Sequence, residues 1–468
     1  MAAVRGQHAY RITSFRSNAF PFRLEDRHNA QPGHARDDEG MAWSTDAARP
    51  LTEAFNGALG APGTVIAVAC IDDAETVIEV NPGDTPADGR FEVGSVTKTM
   101  TATLLALLAA DGSLRLDDEV GRWLPAGANA GITLRQLVTH TSGLPRLAPN
   151  MSLPTADLAN PYVDFGAGQA EEGLRQAVAA PGAPVLYSNF GYQLLGLVLE
   201  RASGLAYEQL ITGRLLTPLG MSRSGVGSNA GGIPLPGHDH RGELPHWDHP
   251  LAAGGGVEAT IGDLARYTSA CLRPPPSPLG AAITAAQTPV EAGGHQALAW
   301  RVSDDGIRWH TGSTGGFSAG VLIDPVRSRA IAMLASCFGR GQSLRRAGLL
   351  TLAGEDPRAA RPQPPGPEWD ERAREIIRLL LDGQAAQIQA RASDAVRERM
   401  FAERLDLPWR ERTRDLGQPV DFQVSCWRSD RGVMADTTIT FANGTLGLRI
   451  GFVPSGQVSG MSLLSAPR

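Results

Sequence analysis

Short segments rich in β-branched and apolar residues occur near both ends of the first three quarters of the chain. Thr64 to Ile71 and Thr76 to Val80 flank Asp72-Asp73, which predicts a two-stranded hairpin, and a short strand is predicted at Phe91 to Val93. Further strands are predicted at Leu298–Val302, Trp309–Thr311, Ala319–Ile323 and Ala330–Ala335. Their hairpin-like spacing indicates antiparallel pairing.

The segments between these strands have a helical period. Val96 to Ala110 is apolar on nearly all sides, which is typical of a helix buried in the middle of a domain. Other helices are predicted at Thr133–Thr139, Gln169–Ala179, Phe190–Ser203, Tyr207–Leu216 and Ile261–Cys271. Strands at both ends and helices in the middle predict an α/β (α+β) fold, with an antiparallel sheet flanked by helices and a helical subdomain beside it. We expect a cleft between those two parts.

The two ends of the chain differ from this central domain, which we place at 47–356. Residues 1–46 are polar and without period, so we expect a disordered leader, and Met41 is an alternative start. Four prolines within 362–367 mark a linker over 357–367. Beyond it, an amphipathic segment and three alternating stretches, the last two separated by Asn443-Gly444, predict a small α+β domain over 368–468. Its pattern resembles accessory domains of the cystatin-like and NTF2-like kind.

Composition narrows the choice of partners. Of the 468 residues, 42% are hydrophobic and 20% are charged, and the net charge is -6. No basic patch indicates nucleic acid or an anionic membrane, so a small-molecule ligand fits better. The four cysteines are far apart and are interpreted as free thiols. With no apolar run of membrane-spanning length and no secretory signal, we expect a cytoplasmic protein whose oligomeric state is left open.

Ser95 and Lys98 form the first candidate for chemistry. Gly94-Ser95-Val96-Thr97-Lys98 places a hydroxyl at the first turn of the buried helix, where free N–H groups favour developing negative charge. Lys98, three residues on, lies on the same helical face. A serine becomes a useful nucleophile when a neighbour takes its proton, and a buried lysine can do so because burial lowers its pKa.

The background of the sequence strengthens this interpretation. Lys98 is the only lysine among 43 lysines and arginines, so arginine supplies every other long cationic side chain. Arginine does not lose its proton in a protein and cannot replace a lysine that must titrate. The alternative is a lysine on a helix surface, but the apolar neighbours predict burial, and a buried lone cation is costly.

Two further segments carry groups suited to the same chemistry. Tyr187-Ser188-Asn189 lies at a loop-to-helix junction, where the phenol could move protons if a nearby ammonium lowers its pKa, and the amide could hold Lys98 and a substrate carbonyl. His310-Thr311-Gly312-Ser313 lies on a predicted strand, where Gly312 allows close approach and Ser313 can offer its N–H to an oxyanion. Each segment on its own is more often structural.

Taken together, Ser-Val-Thr-Lys, Tyr-Ser-Asn and His-Thr-Gly resemble the serine β-lactamase and DD-peptidase superfamily, especially its class C, family VIII esterase and D-stereospecific peptidase branch. The segments 132–144 and 254–266 add to the resemblance, which covers about residues 60 to 340. It implies that Ser95 is acylated, that Lys98 and Tyr187 manage protons, and that the N–H groups of Ser95 and Ser313 form the oxyanion hole. The family usually carries Lys-Thr-Gly on the last strand. We expect His310, in that place, to be partly charged near neutral pH.

Several alternatives stay open. His238, His240, His246 and His249 raise the possibility of a metal site, but their spacing matches no zinc pattern, so we expect no metal and no cofactor. The favoured function is a serine hydrolase acting on small-molecule esters or amides through an acyl-enzyme. An acyltransferase that passes the acyl group to an amine or alcohol is the first alternative. A binding protein on an inactive enzyme scaffold is disfavoured because Ser95, Lys98 and Tyr187 are all present.

Overall fold

The chain divides into two compact units. A computed structural model describes residues 8–13, 25–26, 43–55, 63–151, 160–182, 184–239, 242–291, 293–360, 365–394, 409, 413–429 and 432–464. The first unit comprises Met1–Met151 and Tyr162–Arg361, and the second comprises Ser152–Pro161 and Pro362–Arg468. The division at 361/362 falls within the range assigned to the Pro-rich linker, although Pro357–Ala360 forms a 3-10 turn of the first unit.

The first unit combines strands and helices in the order expected from the sequence. Its strands are His8–Thr13 (β1), Glu25–Asp26 (β2), Ile66–Ile71 (β3), Glu75–Asn81 (β4), Gly89–Glu92 (β5), Gly225–Val226 (β6), Ile233–Pro234 (β7), Gly237–Asp239 (β8), Gly242–Leu244 (β9), Val257–Thr260 (β10), Arg301–Val302 (β11), Arg308–Ser313 (β12), Ser318–Asp324 (β13) and Arg329–Ala335 (β14). Its α-helices are Trp43–Ala54 (α1), Thr97–Ala110 (α2), Leu134–Val138 (α3), Ala167–Gln176 (α4), Asn189–Ser203 (α5), Tyr207–Ile211 (α6), Ile261–Leu272 (α7), Pro278–Gln287 (α8) and Gly341–Ala353 (α9).

One antiparallel sheet is assembled from the two ends of this unit, as predicted. Its strand order is β11-β12-β13-β14-β3-β4-β1-β2, and β14 pairs with β3 so that Ile331 lies opposite Cys70. Every residue of β3 and β13 is buried, because helices cover both faces of the sheet. Leu51 of α1 and Leu344 of α9 belong to one core, whereas Leu264 of α7 belongs to the other.

The amino-terminal segment differs from the expected disordered leader. Residues His8–Thr13 form β1, which pairs antiparallel with β4, and Trp43–Ala54 forms helix α1, which had no predicted counterpart and crosses the expected domain boundary at 46/47. Apart from Glu25–Asp26, the rest of that leader lies outside the described residues. The outer edge of β4 can accept a further strand through backbone hydrogen bonds alone, so a polar segment without a clear period can still pair there.

Helix α2 is buried on all sides, as its composition predicts. Two of its threonine hydroxyls bond to carbonyls one turn earlier: Thr99 donates to the Val96 carbonyl at 2.7 Å and Thr103 donates to the Thr99 carbonyl at 3.0 Å. This local bonding lets polar side chains enter an apolar environment without unsatisfied groups. The helix ends at Ala110, and Gly112 follows with a φ of +81°.

A second, smaller sheet leads into this helix. Its order is β6-β10-β5-β7, and β10 pairs antiparallel with β5 so that Glu258 lies opposite Glu92. Strand β5 continues into the 3-10 turn Gly94–Val96 and then directly into α2. The start of the buried helix is therefore fixed by a sheet on one side and by the core on the other.

Several elements differ from the prediction. The expected strand at 298–302 is reduced to β11, because Ala299 has a φ of +66°, which interrupts an extended strand. Helix α8 follows the Pro-rich turn and had no predicted counterpart, although Ser277 caps it and Pro278 is its first residue. Helix α9 was also not predicted.

The second unit is a helix on an antiparallel sheet, in agreement with the predicted small α+β domain. Its strands are Pro419–Ser429 (β15), Gly432–Phe441 (β16), Gly444–Phe452 (β17) and Val458–Leu464 (β18), and its α-helices are Pro367–Leu381 (α10) and Ala385–Ala390 (α11). Adjacent strands pair in chain order, and β16 and β17 are joined at the predicted Asn443-Gly444 turn. Trp369 and Ile377 of α10 pack in one core with Ile439 and Ile450 of the sheet.

The four cysteines are free, and three of them are buried. Within the part of the chain that the structure describes, no helix has both the length and the apolar character needed to cross a membrane.

Candidate active site

Ser95 lies in the 3-10 turn between β5 and α2, and strand β12 passes directly against it. Gly94 has a φ of +50°, and a Cβ there would lie 2.8 Å from the Ser313 nitrogen. A Cβ on Gly312 would lie 1.9 Å from the Val93 carbonyl oxygen and 3.1 Å from the Ser95 nitrogen. The two glycines thus allow two backbone segments to approach within contact distance. As a result, the backbone of Ser313 lies beside that of Ser95.

Lys98 contacts Ser95 from within the core. Its side chain is fully buried, and Nζ lies 3.0 Å from Ser95 Oγ and 3.0 Å from Asn189 Oδ1. Nζ also donates to the Gly254 carbonyl oxygen. Burial, with a contribution from the nearby Arg146 guanidinium, holds the pKa of Lys98 well below its usual value.

Tyr187 completes this group from the segment before α5. Its phenol lies beside the Ser95 hydroxyl, and Lys98 Nζ lies 5.0 Å from the centre of its ring. Burial raises the pKa of Tyr187 to about 12, despite the opposing effect of the Ser95 hydroxyl. The suggestion that a nearby ammonium lowers this pKa is therefore wrong. The phenol keeps its proton at neutral pH.

The orientation of Tyr187 is set by a residue that sequence reasoning did not single out. The His140 ring packs against the Tyr187 ring with centroids 4.4 Å apart, and His140 Nδ1 accepts a hydrogen bond from the Ser188 nitrogen at 3.1 Å. Ser188 in turn caps α5 by accepting from the Gly191 nitrogen at 2.8 Å. These contacts place Tyr187 and Asn189 at the same end of α5.

His310 lies on β12, with its ring centroid 6.5 Å from that of Tyr187. Its Nδ1 lies 2.8 Å from the Thr311 carbonyl oxygen. Burial, with a smaller contribution from the nearby Lys98, lowers the pKa of His310 to about 3. The expectation that His310 is partly charged near neutral pH is therefore wrong, and Thr311 and Gly312 connect an uncharged ring to Ser313.

A small cavity opens at Ser95, and together with the open solvent at its mouth it has about 350 Å³ of empty space. It is lined by Gly94, Ser95, Tyr162, Asn189, Gln193, Trp247, His249, Leu251, Gly254, Gly255, Ser313 and Thr314. Ser95, Asn189 and Ser313 were predicted, and they come from three separate parts of the first unit. The structure thus brings the predicted Ser-Val-Thr-Lys, Tyr-Ser-Asn and His-Thr-Gly segments together at one cavity.

One wall of the cavity is formed by three rings that sequence analysis missed as a group. The Tyr162 ring stacks on His249 at 4.8 Å and meets Trp247 edge to face at 5.6 Å. Burial, with Lys98 nearby, lowers the pKa of His249 to about 3, so this ring carries no charge at neutral pH. Tyr162 is far from the other two in sequence, and no local pattern connects them.

The histidines considered for a metal site have separate surroundings. His238 Nδ1 lies 3.1 Å from the Ser336 carbonyl oxygen, His249 belongs to the cavity wall, and His240 lies outside the described residues. His246 lies between Glu92 and Glu258, and among the described residues this trio is the one group of three potential metal ligands within reach of each other. Of the four histidines considered in the sequence, this trio contains only His246.

Comparison with known proteins identifies the family. Residues 48–355, more than half of the chain, match the family model described as Beta-lactamase. The chain belongs to the β-lactamase family. This family of serine hydrolases includes β-lactamases and DD-peptidases, as the resemblance in the sequence predicts.

Two curated relatives of this β-lactamase family member are a carboxypeptidase/endopeptidase and a penicillin-binding protein by name. The D-alanyl-D-alanine-carboxypeptidase/endopeptidase AmpH of Escherichia coli (strain K12) is 30% identical over 257 residues, which are 48% of this chain and 64% of AmpH. Penicillin-binding protein 4* of Bacillus subtilis (strain 168) is 34% identical over 140 residues, which are 29% of this chain and 30% of that protein. The chain therefore spans less than two thirds of either relative.

Solved structures support the same fold. A class C β-lactamase matches with a TM-score of 0.54 and 23% identity, covering 65% of this chain and 94% of that one. A mutant class C β-lactamase matches with a TM-score of 0.56 and 23% identity, covering 69% and 100% of the two chains. At this identity the likeness establishes the fold of the first unit's region and leaves the substrate open.

Proposed function

We propose that this member of the β-lactamase family is a serine hydrolase that cleaves small-molecule esters or amides through an acyl-enzyme on Ser95. The observation that carries the proposal is the hydrogen-bond set of Lys98. Asn189 Oδ1 and the Gly254 carbonyl oxygen can only accept, so they take two N–H groups of the amine. A neutral amine has two N–H groups and one lone pair, and the lone pair then faces the Ser95 hydroxyl 3.0 Å away.

The proposed reaction follows from this arrangement. Lys98 accepts the proton of Ser95 Oγ as Oγ attacks the substrate carbonyl, and the N–H groups of Ser95 and Ser313 stabilise the resulting oxyanion. Tyr187, a neutral phenol beside Ser95, gives its proton to the leaving alcohol or amine and recovers one from Lys98. Water then attacks the acyl-enzyme, which returns Ser95 to its free form and releases the acid.

The cavity supports an uncharged acyl group. The rings of Tyr162, Trp247 and His249 offer stacking surface, and at neutral pH His249 and His310 carry no charge. We propose planar or apolar acyl groups as preferred substrates, with no nucleic-acid or membrane partner. A cytoplasmic location stays part of this proposal and is supported by the four free cysteines.

The test is covalent labelling. We expect a fluorophosphonate or a penicillin to add one adduct per chain, detected by intact mass, and we expect Ser95→Ala to lose it. Ser113→Ala, on the loop after α2, serves as the matched control and keeps full labelling. Absence of an adduct with every acylating probe, or an undiminished adduct in Ser95→Ala, would refute the proposal and favour a binding protein.

The same acyl-enzyme serves the acyltransferase alternative. An aromatic nitrophenyl ester is turned over in buffer alone and with an added amine or alcohol, and the two acyl products are quantified. A hydrolase yields mainly the free acid. Dominant transfer to the added nucleophile at low concentration would replace hydrolysis by acyl transfer.

A further inference from the structure

Four ionisable side chains are buried together where β5 pairs with β10, next to the active site. Glu92 and Glu258 lie opposite each other on the two strands, with 4% and 3% exposure. Arg90 Nε lies 2.5 Å from Glu258 Oε2, and His246 reaches both carboxylates from the loop after β9. Two carboxylates directly opposite each other are destabilising unless positive charge lies between them. Arg90 supplies one positive charge for two carboxylates.

The hydrogen bonds of His246 show where the second positive charge belongs. His246 Nε2 lies 2.8 Å from the Leu235 carbonyl oxygen, which can only accept, so Nε2 carries a hydrogen. In a neutral imidazole, Nδ1 would then present a lone pair to Glu258 Oε1 at 3.3 Å and Glu92 Oε1 at 3.4 Å. Glu92 Oε1 also accepts the Trp247 N–H at 2.7 Å, which keeps that oxygen an acceptor. A proton on Nδ1 turns this contact among three acceptors into two attractive contacts with carboxylate oxygens, and it supplies the second positive charge that the two carboxylates lack.

We propose that His246 is held as an imidazolium and is a positioning residue for the cavity wall formed by Trp247 and His249. With Nδ1 protonated, Arg90 and His246 balance Glu92 and Glu258. The imidazolium joins the loop to β5 and β10, and the next residue, Trp247, is fixed through its backbone bond to Glu92. The Trp247 indole lies over Gly315, where a Cβ would come within 2.6 Å of its Nε1.

The charges around His246 determine its response to pH. Burial alone would lower the pKa of His246, but Glu258 and Glu92 raise it above its usual value. Burial raises the pKa of Glu92 to about 7, against the opposing effects of the nearby Thr314 hydroxyl and the charge of His246. When the pH rises through the raised pKa of His246, the imidazolium and its contacts are lost. When the pH falls below the pKa of Glu92, that carboxylate becomes neutral. The contacts that hold the cavity wall are therefore strongest near neutral pH.

The first test reads the imidazole directly and does not depend on catalysis. In protein labelled with 15N-histidine, the His246 signals are assigned as those missing from His246→Gln. We expect both ring nitrogens of His246 to be protonated at pH 6.5, with deprotonation at a pH above that of a free imidazole. An unprotonated Nδ1 at pH 6.5 overturns the proposal. Stoichiometric Zn²⁺ binding that displaces this proton and disappears in Glu92→Gln would overturn it in favour of a metal site.

The second test rests on the proposed hydrolase function and uses the aromatic ester. We expect His246→Gln to raise KM by about 5- to 10-fold with a smaller change in kcat, because the wall binds substrate without touching the reacting atoms. His246→Lys keeps a fixed positive charge and is expected to restore most of the affinity with a KM that no longer rises at alkaline pH. The matched control His295→Gln removes an exposed histidine and leaves KM as in the wild type. A wild-type KM in His246→Gln across the pH range overturns the positioning role. If the wild type itself does not turn over the ester, the proposed hydrolase function is contradicted and the positioning role is judged by the first test.

Discussion

The buried ionisable side chains around Lys98 and those around Glu258 differ in whether their basic groups are charged. Around Lys98, the partners are a hydroxyl, an amide oxygen and a backbone carbonyl, and His140, His249 and His310 all have lowered pKa values. Around Glu258, each cation faces a carboxylate, and the pKa of His246 is raised. The same kinds of side chain therefore end up neutral in one group and charged in the other.

This difference separates chemistry from stability. A buried cation without a carboxylate gives up its proton readily, and a group that can give up and regain a proton is suited to catalysis. A buried cation paired with a carboxylate keeps its proton and stabilises the local structure against the loss of its partner. The variants that follow test whether the two groups divide the work in this way.

The largest effect is expected from Lys98→Arg. This change keeps a positive charge at the position but removes the ability to accept the proton of Ser95, so acylation should slow by at least about 10³-fold. The rate of adduct formation with a penicillin, followed by intact mass, measures it. Arg175→Lys, the reverse exchange at an exposed ion pair with Glu172, is the control and should acylate normally. Acylation of Lys98→Arg within about tenfold of the wild-type rate would contradict Lys98 as the proton acceptor.

The catalytic residues could be predicted from the sequence, whereas the cavity wall could not. Ser95 and Lys98 are three residues apart on one helix, so spacing alone brings them together, and the single lysine of the chain marks the position. Tyr187 and His310 are found through short segments of a familiar kind. The cavity wall is different, because Tyr162 and Trp247 meet only through the tertiary fold and carry no local pattern.

The charge states also depend on the fold. Nothing near His310 or His246 in the sequence shows that one ring is neutral and the other protonated, since burial in the fold decides the first and the Glu258 carboxylate decides the second. The same limit applies to the strands. The β3–β14 pairing was predictable from strand patterns at both ends, whereas β1 was not, because a segment without a clear period can join a sheet through backbone bonds alone.

The second prediction concerns stability and is expected to have opposite signs in the two groups. Glu258→Gln leaves Arg90 and His246 with one buried carboxylate between them, so the free energy of unfolding should fall by about 3 kcal/mol. Lys98→Met removes a buried amine that the folded state keeps from being charged, and should raise the free energy of unfolding by about 1 kcal/mol. Urea unfolding of the full chain at pH 7 measures both.

The pH dependence of the Lys98→Met difference has a definite sign. The folded wild type binds fewer protons than the unfolded chain between the lowered pKa of Lys98 and its ordinary value, so wild-type stability rises with pH in that window. The advantage of Lys98→Met should therefore shrink as the pH rises toward 10. Asp117→Asn, at an exposed ion pair with Arg135, is the control and should change stability by less than about 1 kcal/mol. If Lys98→Met is less stable than the wild type and Glu258→Gln is equally stable, the assignment of chemistry to the Lys98 group and of stability to the Glu258 group is contradicted.

The smallest effect is expected from His310→Gln, which removes a ring from the uncharged group. A histidine with a pKa of about 3 is neutral throughout the range from pH 5 to 9, so its loss should lower kcat/KM by only about 3-fold and leave the shape of the pH profile unchanged. The profile is measured with the aromatic ester in both proteins. Any inflection that belongs to His246 should persist in His310→Gln, because the two histidines titrate in separate groups. The opposite result would be an inflection between pH 6 and 7 that is present in the wild type and missing only in His310→Gln. His310 would then be charged in the working enzyme. The division between a neutral group and a paired group would not hold at the active site.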